Sequence, residues 1–466
     1  MKIYAVVTAF VLASLPILAW NRGAPAAPLD RMGRLIASGL AAVFLVFFAI
    51  DMERAVSDQP RTGDLDVYLR AAWAAREGAS IYQATDQHGW HYSYPPLLAS
   101  LLIPLADPPE AAPAASRAAA IPYWASVGIW YWMGIGCLLA STLMTMSALE
   151  EYGAERGAPT PLAYSQAWWN PRLLCLLLSL YFALDGLNRG QSTPIVLLCL
   201  SASGASILRQ RPWRAGLWLG AAAVIKLYPA YLLVYALWRR DKRFLAGAAA
   251  AVGIGLLLPV AIMGPSASLA AYREFAQGRL LGEASGAGEA SVAKELHGTN
   301  SRIQSFEYMV YDTLHPIREE RAAEPPHGYF LAHIGIALLL TGGVLWVMRR
   351  PGDGLSEFLF FAALAQLAVP ILPVSRPHYY VSGILPLAGL YAAEWARRGG
   401  LRWSIAVTAM AYLAASILDT ADQTWALEFG LSTYAALALA GLALWAARRR
   451  PAAEGRSLSP VASAPL

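Results

Sequence analysis

Blocks of roughly 18–20 apolar residues with almost no charge recur along this chain, and that length is what crosses the hydrocarbon core of a bilayer. Such blocks fill residues 3–20, 35–51, 125–149, 244–263, 329–348, 355–373 and 379–396, with further apolar runs at 173–187, 192–208, 404–418 and 434–447. A backbone in lipid must satisfy its own hydrogen bonds, which leaves helices or closed barrels. The runs are rich in Leu and Ala and do not alternate, so the expected fold is all-α: a polytopic membrane protein with about 12 spans. Only 14% of the 466 residues are charged, whereas a soluble domain carries about 25%.

The net charge of +5 matters less than its placement. Arg and Lys gather in short links: Arg209-Gln210-Arg211-Pro212-Trp213-Arg214, Arg239-Arg240-Asp241-Lys242-Arg243, Arg349-Arg350, Arg397-Arg398 and Arg448-Arg449-Arg450. Basic loops stay on the cytoplasmic side. One orientation puts nearly all of these clusters inside, so they read as loop charge and not as a nucleic-acid surface. It requires residues 215–225 and 227–238 to form two half-length helices that turn back at Lys226. It also places two long loops outside, 52–117 and 264–328, with the short link Ser375-Arg376-Pro377-His378.

The organisation expected is an N-terminal helix and cytoplasmic loop (1–34), a membrane domain (35–447) and a disordered cytoplasmic tail (448–466). The first run is followed by Ala24-Pro25-Ala26, a pattern open to a cleaved signal as well as a retained helix. Cys137, Cys175 and Cys199 all lie in apolar runs without metal or disulfide spacing, as packed hydrophobes do.

Polar residues that interrupt this pattern are the candidates for chemistry. Gly63-Asp64-Leu65-Asp66-Val67-Tyr68 follows the second helix on the outer side. Asp64 fits a general base, but on its spacing alone it fits a solvated helix N-cap better. Tyr82 and His91-Tyr92-Ser93-Tyr94-Pro95-Pro96 form an aromatic, Pro-stiffened stretch, suited to sugar rings or to an interfacial belt. Asn188-Arg189-Gly190-Gln191-Ser192 is a polar turn, near Asp185, that either binds hydroxyls or only closes a helix hairpin.

Lys226 interrupts a long uncharged stretch just before Pro229. A cation there needs water, an anion or an interface, and a phosphate would satisfy it. Snorkelling is the competing reading. His297-Gly298-Thr299-Asn300-Ser301-Arg302-Ile303-Gln304-Ser305-Phe306 is dense in hydrogen-bonding groups. It fits polyhydroxy or phosphate recognition and also an ordinary surface loop. His378 is tied to the membrane surface by the shortness of its link, either as a titrating group or as a satisfied interfacial histidine.

In order, these segments resemble the GT-C glycosyltransferases of family 87, which include polyprenol-phosphate-mannose-dependent mannosyltransferases. Asp64-Leu65-Asp66-Val67-Tyr68 resembles the family's Asp-Phe/Leu-x-Val-Tyr element, followed by Gly78, Tyr82 and Tyr94-Pro95-Pro96. Gly190-Gln191 resembles its Gly-Gln element. Lys226-Leu227-Tyr228-Pro229 resembles Lys-x-x-Pro, Ile303-Gln304-Ser305-Phe306 resembles Asn-Gln-Ser-Leu, and Ser375 to His378 resembles Ser-x-x-His. The chain departs from the family at Thr193, commonly Asn, and at Tyr379, where the family has a second His.

The resemblance implies an inverting membrane hexosyltransferase in the plasma or inner membrane, with its active site on the extracytoplasmic side. The sugar, mannose by preference, would pass from a polyprenyl-phosphate-linked donor to a lipid or glycan acceptor hydroxyl, amid membrane lipids. Asp64 is carried over as general base and Lys226 as the group that holds the donor phosphate. His378 would support the phosphate or the acceptor. Asp66, Tyr68, Tyr94, Gln191, Asn300, Arg302 and Gln304 are the remaining candidate substrate contacts. Neither metal nor cofactor is expected. A transporter or flippase of lipid-linked sugars, or a polysaccharide polymerase or ligase, are the alternatives; the outer acid and the lack of an inverted repeat favour the transferase.

Overall fold

The computed structural model describes residues 2–20, 27–57, 63–87, 89–109, 112–281, 303–315, 325–372, 375–398, 403–420 and 424–449. Among these the chain is helical and no strand occurs, as the apolar pattern requires. Helices α1 (Lys2–Trp20) and α2 (Arg31–Val56) lead to a peripheral set: α3 (Asp64–Arg76), α4 (Pro96–Leu101) and α5 (Ala114–Ala119). The bundle continues with α6 (Tyr123–Ala154), α7 (Gln166–Leu178), α8 (Leu180–Asn188), α9 (Thr193–Leu208), α10 (Pro212–Ile225), α11 (Leu233–Arg239) and α12 (Lys242–Met263). After α13 (Pro265–Glu274) and α14 (Phe306–Leu314) come α15 (His327–Val347), α16 (Gly354–Ile371), α17 (Ile384–Arg398), α18 (Trp403–Thr420), α19 (Thr424–Phe429) and α20 (Leu431–Arg448).

Six of the described helices have the length and apolarity of a span, α2, α6, α12, α15, α16 and α20, and the bent pair α7–α8 makes up to seven. The sequence expectation of about twelve is not reached by that measure, because the apolar stretches 3–19, 193–208 and 404–419 are shorter. The break between α7 and α8 turns the chain by 59°. α16 lies at the centre, with Phe358, Phe360 and Phe361 fully buried. α1 packs Val7, Val11, Leu15 and Leu18 into the same core, and its Thr8 hydroxyl hydrogen-bonds Tyr181.

Backbone contact joins α10 to α12. A Cβ added at Gly216 would collide with the Phe244 carbonyl, and one at Gly247 with that of Trp213. Small residues at a crossing are how apolar helices gain dispersion contacts when no water is there to be expelled.

The basic links converge on one end of the bundle. Arg209 pairs with Glu151 at 2.7 Å, Arg239 pairs with Glu357 at 2.8 Å, and Arg239 also donates to the Met348 carbonyl. Arg448 caps Val347 from α20. α10 runs away from this end for about 21 Å, at 1.5 Å per residue. At Lys226 the backbone turns extended, with φ −144° and ψ 127°. A 3₁₀ turn over Tyr228–Leu232 and then α11 bring the chain back to Arg239. The expected reversal at Lys226 is therefore present, with Pro229 inside the 3₁₀ turn, where an α-helical ladder would have required its missing N–H.

Candidate active site

The other end of the bundle carries the polar candidates. The first element is a turn. Gly190 has φ +65°, a conformation that favours glycine, and a Cβ there would collide with Leu65. The turn is held by Gly190 N donating to Leu187 O at 2.9 Å and Gln191 N to Gly186 O at 2.9 Å. Trp130 Nε1 donates to the Gly190 carbonyl at 2.9 Å. The Asp64 amide donates to the Arg189 carbonyl at 3.0 Å. This bond fixes the start of α3 against the turn. Gly63, not Asp64, is the N-cap, and Asp64 occupies the first helical position with its side chain free of any capping role.

That side chain meets Gln191, whose Nε2 donates to Asp64 Oδ2. Gln191 Oε1 then accepts from Lys226 Nζ at 2.8 Å and from the Tyr94 hydroxyl at 3.4 Å. One amide thus links a carboxylate to a buried ammonium. Lys226 is 5% exposed. Its Nζ lies 4.0 Å from the Tyr379 ring centroid and 5.2 Å from that of Tyr94, and 3.5 Å from the Thr193 hydroxyl. Aromatic faces attract a desolvated cation through their quadrupole. Tyr379 is in turn stacked on Tyr228, with centroids 5.2 Å apart. Burial raises the Asp64 carboxyl above the usual carboxylate range, while the charges of Lys226, Arg189 and Arg376 and the Gln191 hydrogen bond oppose it.

His378 sits beside this group, 1% exposed, with its ring edge-on to Tyr379 at 4.7 Å. Its Nδ1 lies 3.3 Å from Asp185 Oδ2, and Asp185 Oδ1 accepts from Arg189 Nε at 2.8 Å. Burial depresses the imidazole to about 3, against the pull of Asp185.

Tyr94 owes its place to its neighbours. Tyr82 donates to the Tyr94 carbonyl at 3.0 Å, and Tyr92 donates to the Pro95 carbonyl at 2.8 Å while accepting from Ala99 N. Pro96 then opens α4 at a position that needs no N–H.

The structure brings Asp64, Gln191, Lys226, Tyr94 and His378 to one place. Tyr68 borders this group, its ring edge-on to Tyr94 at 5.0 Å and its hydroxyl near Asp64 and Tyr379; the other described candidates, Asp66 and Gln304, do not join it. Asp66, two residues on from Asp64 and about 200° round the helix, is buried in an ion pair with Arg70 at 3.1 Å. Tyr68 is fully buried against Tyr94, Tyr92 and Trp130. Gln304 is fully buried, donating from its side chain to the Leu427 carbonyl and from its backbone to Ser375. It ties down the segment that leads to His378. Asn300 and Arg302 lie outside the described residues. The pairing of Asp185 with Arg189 that the sequence suggests is present at 2.8 Å, whereas Tyr379 and Arg376 are not among the sequence candidates. The signal for Tyr379 was its place beside His378, where an aromatic ring stands in for a second imidazole.

A cavity of about 260 Å³ opens at Leu227, the residue after Lys226, lined almost wholly by carbon from Pro95, Leu219, Ala223, Leu227, Leu256 and Phe275.

A helical membrane bundle with a carboxylate, an amide and a buried ammonium gathered at one end, and an apolar cavity at Leu227, can chemically accommodate a polar, anionic group carried on an apolar molecule. The model of glycosyltransferase family 87 matches residues 92–370, more than half of the chain, and the chain belongs to that family. It is therefore a membrane glycosyltransferase. It is 24% identical over 347 residues to the polyprenol-phosphate-mannose-dependent alpha-(1-2)-phosphatidylinositol mannoside mannosyltransferase of Mycobacterium tuberculosis, a match covering 72% of this chain and 71% of that protein. Among solved structures, ArnT from Cupriavidus metallidurans bound to undecaprenyl phosphate aligns over 90% of this chain and 77% of its own, with TM-score 0.39 and 15% identity. Its apo form aligns over 88% and 76%, with TM-score 0.35 and 14% identity.

Proposed function

We propose that this chain transfers a hexose, with mannose the first donor to test, from a polyprenyl-phosphate carrier to a hydroxyl of a lipid or glycan acceptor, with inversion, at the extracytoplasmic face of the plasma or inner membrane. The observation that carries the reading is the Asp64–Gln191–Lys226 chain of hydrogen bonds, which holds a base and a phosphate-binding cation in one small volume. Asp64 removes the proton from the acceptor hydroxyl as its oxygen attacks the anomeric carbon. The sugar–phosphate bond breaks on the opposite face, and the phosphate leaves with the bonding electrons. Lys226 meets the charge that develops on that phosphate, and its burial makes the interaction stronger than it would be in water.

In the resting protein Lys226 is held by Gln191 and by the Tyr94 and Tyr379 rings, with the Asp64 carboxylate close enough for the two charges to act on each other. A donor phosphate replaces the Gln191 oxygen at Lys226, while the Gln191 amide nitrogen keeps its hydrogen bond to Asp64. The apolar cavity beside Leu227 takes the first isoprene units of the carrier, which places the phosphate at Lys226. The relative that uses polyprenol-phosphate mannose supports this choice of donor.

Purified protein, incubated with a panel of polyprenyl-phosphate sugars and membrane-extracted acceptors, tests the reading. The expected product carries one added hexose of inverted anomeric configuration, and the Asp64→Asn protein forms it about 10²–10⁴-fold more slowly. Transfer only from a nucleotide sugar, or turnover unaffected in Asp64→Asn, overturns it.

A further inference from the structure

Asp185 has no part in the transfer as described, yet it touches two pieces of the site at once. One oxygen accepts from Arg189 Nε at 2.8 Å, and the other faces His378 Nδ1 at 3.3 Å. Arg189 in turn offers its carbonyl to the Asp64 amide. The helix end that carries Asp185 lies close against the His378 segment: a Cβ on Gly186 would stand 3.6 Å from that of His378. The remaining ring nitrogen, His378 Nε2, is buried without a hydrogen-bond partner among the described residues. Such a group is costly to keep unless something fills it.

The protonation pattern follows from the inventory of donors. An ionised carboxylate only accepts, so Nδ1 must carry the proton it donates. In neutral imidazole the other nitrogen then has a lone pair and can only accept. Phosphate oxygens are acceptors and gain nothing from such an atom. A hydroxyl does.

We propose that Asp185 is a positioning residue that holds the His378 imidazole with its proton on Nδ1, so that Nε2 accepts a hydrogen bond from a substrate hydroxyl and not from the phosphate. This rests on the transferase reading above and assigns His378 within it. The orienting partner is also what makes the pair work as a unit, as a carboxylate does for a metal-bound or catalytic histidine.

Asp185→Asn tests it sharply. Arg189 Nε can only donate, so it claims the amide oxygen of the new side chain and leaves the amide NH₂ facing His378. Nδ1 must then accept, and the proton moves to Nε2. Three readouts follow. In ¹⁵N-histidine-labelled protein, with His378 identified by its loss in His378→Ala, the proton is on Nδ1 in the parent and on Nε2 in Asp185→Asn. With the acceptor and the sugar donor varied in turn, kcat/KM for the partner whose hydroxyl is held falls roughly tenfold to hundredfold, whereas affinity for polyprenyl phosphate alone is unchanged. In the His378→Ala background the Asp185→Asn change adds no further loss, and Asp185→Glu, which restores an acceptor-only group, recovers part of the activity.

The proposal is overturned if Nε2 is already protonated in the parent, if polyprenyl phosphate binding weakens in Asp185→Asn, or if the loss is as large without His378. The ¹⁵N readout needs no turnover. A parent protein with no transfer from any donor would sink the functional reading and leave the tautomer still measurable.

Discussion

Gln191 is shared between opposite charges, and its two ends are not interchangeable. Its oxygen faces a cation and its nitrogen faces a carboxylate, which fixes the amide orientation by charge alone. Two predictions belong at this scale. Replacing Asp64 by Asn removes the proposed base, and general-base catalysis contributes about 10²–10⁴-fold, so transfer should fall by that factor while the protein still inserts and purifies as a single species. Since burial raises the carboxyl, the acid limb of the pH–kcat/KM profile should lie above the ordinary carboxylate range. Activity is present above that pKa, where Asp64 is ionised, and is lost as pH falls through it. A limb at the usual carboxylate pKa, or one that persists in Asp64→Asn, would assign the titration elsewhere. Replacing Lys226 by Ala removes a charged hydrogen bond worth about 1.5–3 kcal/mol, roughly tenfold to hundredfold in affinity. The loss should appear in the KM of the donor and in binding of polyprenyl phosphate, with the acceptor KM little changed. Equal losses for both substrates would count against a phosphate contact.

Elements, rather than side chains, decide which of these residues meet. The reversal at Lys226 was legible in sequence because charge on both flanks demanded it, and a Lys followed by Pro marked its apex. The Gly190 turn was legible only as a hairpin. That its carbonyls and its lack of a Cβ clamp the start of α3 depends on a contact more than a hundred residues apart. Gln304 was misleading for the same reason: a polar residue in a polar run looks like a ligand contact until its partners, Leu427 and Ser375, are known. Asp66 shows how a doubled acid is divided by helix geometry, one copy facing Gln191 and the other Arg70. The prediction at this scale concerns the clamp and the cavity. Gly190→Ala forces a positive φ on a residue with a Cβ and pushes α3 away, so transfer should be nearly lost while the bundle stays folded. Ala223→Phe, by filling the cavity beside Leu227, should raise the KM for long-chain donors and spare a donor whose lipid is only one or two isoprene units long. Equal effects on both donors would mean that the carrier lies elsewhere.

At the scale of the whole molecule, the chain sorts its charge by end. Arg209, Arg239 and Arg448 meet Glu151, Glu357 and helix-terminal carbonyls at one end, and Asp64, Lys226 and His378 gather at the other. α9 spans the interval directly, with Thr193 near Lys226 and Leu208 followed at once by Arg209. The separation means that topology and chemistry are a single question: if the basic end is cytoplasmic, the site is outside. A reporter fused after Arg350 should therefore be active only in the cytoplasm. In a background with Cys137, Cys175 and Cys199 replaced, Glu77→Cys should react in intact cells with a membrane-impermeant maleimide, since Glu77 is exposed at the end of α3. Gln210→Cys, exposed beside the Arg209–Glu151 pair, should react only after the membrane is opened. Labelling of Gln210→Cys in intact cells would invert the molecule, put Asp64 in the cytoplasm, and make a donor presented on the inner leaflet the one to assay.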